Sequence, residues 1–200
     1  MPTAADVTKF LSPDPNDIQV IATRPQKPLE IVEYRAEWPA LYAELENRIR
    51  RALADRVVLI EHVGSTSVPG LPAKDIIDIN LVVADPTAEE SYVPDLQAEG
   101  FQFLFREPAW YQHRFFSLDQ PYTNLHVFGP DSPEVVRHRL FRDWLREHED
   151  DRSRYTTVKR EAAEASRTAG ETVRQYNYRK ESVIRDIFRR IFEAHGLIKS

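Results

Sequence analysis

The chain has 200 residues, 42% apolar and 30% charged, with a net charge of −5 and no cysteine. That length can bury one sizeable core, the composition is that of a globular protein, and the missing thiols exclude disulfides and thiolate metal sites. No apolar run approaches the ~20 residues of a membrane helix, and the N-terminus lacks a secretory pattern, so the default expectation is a cytoplasmic protein without a membrane partner. Residues 1–131 carry 11 Lys/Arg against 20 Asp/Glu, and residues 132–200 carry 16 against 12. The larger, acidic part would repel a polynucleotide backbone, which disfavours long nucleic acid and leaves a small phosphate compound held by local cations.

Taken in order, residues 1–28 form an arm in which Pro13, Pro15, Pro25 and Pro28 break any long element. It reads as a mobile arm or a surface strap, followed by a single domain over residues 29–200. Ile31 to Tyr34 suggests a short extended piece. Trp38, Leu41, Leu45, Ile49 and Leu53 recur every three or four residues and predict a helix with one apolar face. Val57 to Val63 predicts a strand, and Asp75 to Val83 a second, interior one, apolar on both faces apart from two polar interruptions. Thr87 to Gly100 reads as a helix ending at glycine, and Phe101–Phe105, Tyr111–Leu118 and Asn124–Phe128 as a strand meander. From Gly129 the period is helical: a helix opening at Ser132-Pro133-Glu134 with a side-chain cap, one from Ser153 to Ala169, and one from Glu171 to His195, stopped by Gly196. The plan is α+β, a mixed sheet over residues 29–130 and a helical part over 131–196.

The stretch with chemistry is residues 60–83, IEHVGSTSVPGLPAKDIIDINLVV. A Gly-Ser pair after a strand, with an acidic residue a dozen positions later on the next strand, is the arrangement used by nucleotidyltransferases of the polymerase-beta type. Glycine lets backbone approach a nucleotide, while hydroxyls and N–H groups at Gly64, Ser65, Thr66 and Ser67 can hold phosphate oxygens, with Lys74 at the loop end. Side chains two apart on a strand share a face, so Asp78 and Asn80 are the candidate ligands for Mg²⁺.

The blocks EHVGSTSVPGLPAK and IIDI, then NLHV at 124–127, LFRDWLR at 140–146, Tyr155 with Lys159, and Tyr176 with Lys180 resemble the GrpB family over roughly residues 30–195. The resemblance implies a nucleotidyltransferase-like fold, with related domains fused to dephospho-CoA kinase, and no settled reaction. Where the family usually reads Lys-Pro-Ile-Ile-Asp-Ile-Asp, this chain has Asp75 for the proline and Asn80 for the second aspartate. A neutral amide weakens a two-metal clamp, and Asp75, three residues before Asp78, faces the opposite side of a regular strand.

Two readings follow. One is an enzyme moving a nucleotidyl or phosphoryl group to a small acceptor, with Ser65 and Lys74 on phosphate, Asp78 and His126 as catalytic residues, and His126 and Arg114 lining the pocket. The other is a ligand-binding or accessory module, linked to CoA metabolism, that keeps the anion pocket without the metals. Tyr176 and Lys180 share a helical face and are candidates for closing the cleft. Arg142, four residues after His138, reads as part of a solvated helix face. Asp78 in a buried salt bridge and His126 as a structural residue are the plainer alternatives. A P-loop, a nucleophile elbow and a His-Glu-x-x-His zinc site are absent from the sequence, and core packing accounts for the strand aromatics better than base stacking does.

Overall fold

The computed structural model describes residues 2–11 and 14–199, so Pro13 lies outside the described residues. In chain order the elements are α1 (Ala4–Thr8), β1 (Gln19–Val20), α2 (Trp38–Leu53), β2 (Leu59–Val63), β3 (Ile77–Val82), α3 (Val93–Ala98), β4 (Gln102–Glu107), β5 (His113–Leu118), β6 (Thr123–Phe128), α4 (Pro133–Glu147), α5 (Glu149–Thr168) and α6 (Val173–Ala194). The strands form one mixed sheet in the order β1-β4-β5-β6-β3-β2, with β3 and β6 parallel and every other pair antiparallel. This is the expected nucleotidyltransferase-like α+β plan. No helix among the described residues is long and apolar enough to cross a membrane.

Strand alternation divides the sheet into two faces. Ile77, Ile79 and Leu81 of β3, Leu125 and Val127 of β6, and Phe116 of β5 pack with Trp38, Leu45, Ile49 and Leu53 of α2 into the main core. Burying each such side chain stabilises the fold by roughly 1.5–3 kcal/mol. The opposite face carries Asp78, Asn80, Asn124 and His126, because they occupy the alternate positions. The helical part covers that face and has its own core of Leu145, Tyr155, Ile187, Phe188, Ile191 and Phe192. A polar layer is thereby enclosed between two apolar ones.

Several expectations are corrected. The helix over 87–100 shrinks to α3: Asp85 turns the chain by accepting from the Thr87 N–H at 2.8 Å, and Pro94, which has no N–H, fits only the first turn. The helix expected at 153 begins at Glu149. Ser132 precedes α4 as expected, but its hydroxyl makes no cap bond. Residues 14–28 are a strap: β1 extends the sheet against β4, and Ile21 and Ala22 both donate to the Leu104 carbonyl. α1 is held by Arg137, which donates to the carbonyls of Asp6, Val7 and Lys9. Arg142 is not on a solvated face; it donates to the His62 carbonyl at 3.0 Å and docks α4 on β2.

Candidate functional site

The turn after β2 is built by its own residues. Gly64 sits at φ 68° and ψ −171°, a region essentially restricted to glycine. A Cβ there would lie 2.4 Å from Asp78 Oδ2, so glycine is what lets the turn press against that carboxylate. Ser67 donates to the Gly64 carbonyl at 2.5 Å, and Thr66 donates to the Ile76 carbonyl at 3.0 Å. Both residues are buried. Their hydroxyls therefore brace the loop and do not face a ligand, which corrects the expectation for Thr66 and Ser67. Ser65 differs, since its hydroxyl meets the Tyr155 phenol.

Asp78 lies beneath this turn, partly exposed, and accepts from Asn124 Nδ2 at 2.7 Å. Burial raises its pKa, opposed by the Asn124 bond, Lys74, His138 and Arg24. Three lysines surround it. Lys74 comes from the loop, Lys159 from α5 and Lys180 from α6; Lys159 is 2% exposed and Lys180 7%. The Lys180 Nζ lies 4.1 Å from the Tyr176 ring centroid and 5.9 Å from that of Tyr155; Lys74 is 5.4 Å from Tyr176, and Lys159 is 5.1 Å from Tyr155. Among the described residues, Lys159 alone of the three makes a protein hydrogen bond, to the Pro72 carbonyl at 2.5 Å. Burial lowers all three pKa values, Lys180 to about 7; Asp78 acts in the opposite direction on each, while Arg24 adds to the lowering at Lys74, Lys74 at Lys180, and Lys180 with Lys74 at Lys159.

The strap completes the wall. Arg24 donates to the Thr123 carbonyl at 3.0 Å and to Asn124 Oδ1, and its guanidinium stacks 4.1 Å from the Tyr122 ring. A cleft of about 860 Å³ opens here, lined among others by Arg24, Lys27, Lys74, Asn124, His126 and Arg174. A smaller, mainly apolar cavity of about 280 Å³ lies at Gly64, Ser65 and Tyr155, walled by Phe10, Phe141 and Phe188.

The sheet, the loop between β2 and β3, and α6 together bring Gly64, Ser65, Lys74, Asp78, His126, Tyr176 and Lys180 to this region. Arg114 is not among them. It alternates onto the face of Phe116, is buried, and pairs with Glu89 at 2.9 Å, so the expectation that it lines the pocket is corrected. Asn80 is fully buried and its Oδ1 is engaged by His138 Nδ1 at 3.0 Å. Among the described residues no group of three His, Asp or Glu side chains could share a metal. One carboxylate, an occupied amide oxygen and three converging cations do not fit the Mg²⁺ clamp expected of Asp78 and Asn80. The other departure from the family pattern has a structural explanation: Asp75 accepts from Trp38 Nε1 and from Arg35, each at 2.8 Å.

Lys159, Tyr155 and Arg24 were not among the site residues expected from sequence. The available signal was the repeated Tyr-x-x-x-Lys spacing at 155/159 and 176/180, which puts each pair on one helical face.

The GrpB protein family profile matches residues 28–190. A UPF0157 protein of Halalkalibacterium halodurans is 39% identical over 194 residues, covering 95% of this chain and 98% of that protein. A dephospho-CoA kinase of Mycolicibacterium paratuberculosis is 31% identical over 192 residues, covering 83% of this chain and 46% of the kinase. The crystal structure of a conserved GrpB protein from Enterococcus faecalis superposes with a TM-score of 0.71 at 23% identity, covering 84% of this chain and 99% of that one. With the family profile spanning most of its length and its fold shared with a solved member, the chain belongs to the GrpB family.

Proposed function

We propose that this protein binds the phosphate chain of a small nucleotide beneath the Gly64–Ser65 turn and transfers a nucleotidyl or phosphoryl group to a small hydroxyl acceptor. The observation that carries this reading is the convergence of Lys74, Lys159 and Lys180 on one carboxylate. Burying an ammonium costs several kcal/mol per ion, and placing three together with a single counter-charge is intelligible when a polyanion completes the site. Lys74 and Lys180 rest over the Tyr176 ring and donate to no acceptor among the described residues, so charge-assisted bonds to phosphate oxygens remain for a ligand. The apolar cavity beside Ser65 offers room for an uncharged part of donor or acceptor.

A second reading, a ligand-binding module without turnover, is favoured by Asn80, whose oxygen is engaged by His138. The kinship with a chain named dephospho-CoA kinase makes CoA precursors reasonable probes for either reading. Calorimetric titration with ATP and with dephospho-CoA, each in Mg²⁺ and in EDTA, tests binding. Binding is expected in both media and is weakened by Asp78→Ala only through disturbance of the lysine cluster; no binding of any phosphate compound contradicts the proposal. Release of pyrophosphate or nucleoside diphosphate by the purified protein separates the enzyme from the module.

A further inference from the structure

The lysine cluster leaves one chain of buried polar groups without a role. Glu107 ends β4, His113 opens β5, and His126 lies on β6. Glu107 Oε2 is 2.6 Å from His113 Nδ1, and His113 Nε2 is 3.1 Å from His126 Nδ1. His113 is 2% exposed and stacks on Phe128 at 4.7 Å, with Trp110 edge-on at 5.0 Å.

Donor counting fixes the protons. An ionised carboxylate only accepts, so His113 must give it Nδ1–H. A neutral imidazole carries one N–H, which leaves His113 Nε2 bare and obliges His126 to donate from Nδ1. By the same count His126 Nε2 is bare. That ring is part of the cleft wall beside Asn124 and Arg24, and its Nε2 makes no protein hydrogen bond among the described residues. Burial and the neighbouring His113, His138 and Arg24 all disfavour the imidazolium of His126. Burial also lowers His113 to about 3. Burial raises the pKa of Glu107 and Arg174 opposes it; a protonated Glu107 would reverse every donor in the chain, which the test below detects.

We propose that Glu107 and His113 are positioning residues that lock His126 in its Nδ1–H tautomer and present a bare Nε2 to the cleft, where it accepts a hydrogen bond from the acceptor hydroxyl and orients that oxygen for attack. This rests on the transfer reading above. In the step, the acceptor oxygen bonds to phosphorus and the bond from phosphorus to the bridging oxygen of a nucleoside triphosphate breaks. Its electron pair stays on the departing pyrophosphate or nucleoside diphosphate, and the hydroxyl proton passes to water.

The test is a long-range ¹H–¹⁵N imidazole correlation spectrum of the full chain near pH 7.5. Wild type is expected to show Nδ1–H tautomers at both His113 and His126. Glu107→Ala and His113→Phe, each with wild-type circular dichroism, are expected to return His126 to the Nε2–H form favoured in water. An Nε2–H tautomer at wild-type His126, or Nδ1–H retained in the variants, overturns the relay; the wild-type spectrum decides even where a variant fails to fold. With ATP, His113→Phe is expected to lower kcat by roughly 10²-fold at unchanged KM, and an unchanged kcat overturns the orienting role of His126. No turnover by wild type refutes the transfer reading itself and is distinguishable, because the tautomers are read without ligand.

Discussion

Replacing Lys180 by methionine should make this protein more stable while weakening its ligand binding. The Lys180 ammonium is 7% exposed and rests over Tyr176 and Tyr155. Burial first, then Lys74, bring its pKa from 10.5 to about 7, with Asp78 opposing. At about 1.36 kcal/mol per pH unit, holding this group charged costs the folded state roughly 4–5 kcal/mol. Between those two pKa values the unfolded chain binds the proton and the folded chain releases it. Stability therefore rises with pH from about 7 towards 10 and is flat below that window. Methionine keeps the stem length and the contact with the rings but removes the charge. Lys180→Met is expected to gain roughly 2–4 kcal/mol at pH 7, a rise in Tm of about 5–15 °C, and to show a shallower increase of stability up to pH 9.5. Urea unfolding followed by circular dichroism at several pH values measures both. A variant no more stable than wild type at pH 7, with an undiminished pH slope, would refute the idea that this charge is held at a cost.

Other expectations follow from single contacts. Gly64→Ala places a methyl 2.4 Å from Asp78 Oδ2 at a positive φ; a loss of about 1–3 kcal/mol from backbone strain alone, read in a thermal melt, is expected together with weaker ATP binding, and a neutral result in both would contradict the close approach. Arg137→Met frees the carbonyls that hold α1 and strands buried Glu134; roughly 3–5 kcal/mol should be lost, with faster proteolysis near residues 4–10. Trp38→Phe removes the 2.8 Å bond to Asp75 and should cost about 1–3 kcal/mol, measured by urea unfolding.

Much of the fold was legible because periodicity was clean: α2 follows its Trp38-to-Leu53 stripe, and the meander strands follow their aromatics to within a few residues. Local polar chemistry decided the rest. Asp85 and Pro94 shortened α3 against its helical pattern. Residues 1–28 read as either a mobile arm or a strap, and the sequence does not decide between them because β1 spans only two residues and is fixed by backbone bonds that sequence pattern does not encode. At the site, Gly64, Ser65 and Asp78 were readable from one local motif. Arg114 was misplaced because alternation alone does not say which face a helix covers, and the paired face turned out to hold Glu89. Lys159 and Arg24 come from segments distant in sequence, where only the tertiary arrangement brings their charges to Asp78. Asn80 read as a weakened metal ligand; what sequence could not supply was His138, fifty-eight positions away, as the group that engages it.

The most direct measurement is a calorimetric titration of ATP into wild type, Lys159→Met and Lys180→Met, each in Mg²⁺ and in EDTA. Wild type should bind saturably in both media, and each lysine variant, still folded, should lose roughly 10–100-fold in affinity, as expected for removing a charge-assisted hydrogen bond. Equal affinity in wild type and both lysine variants would contradict the claim that the buried lysines form a phosphate site.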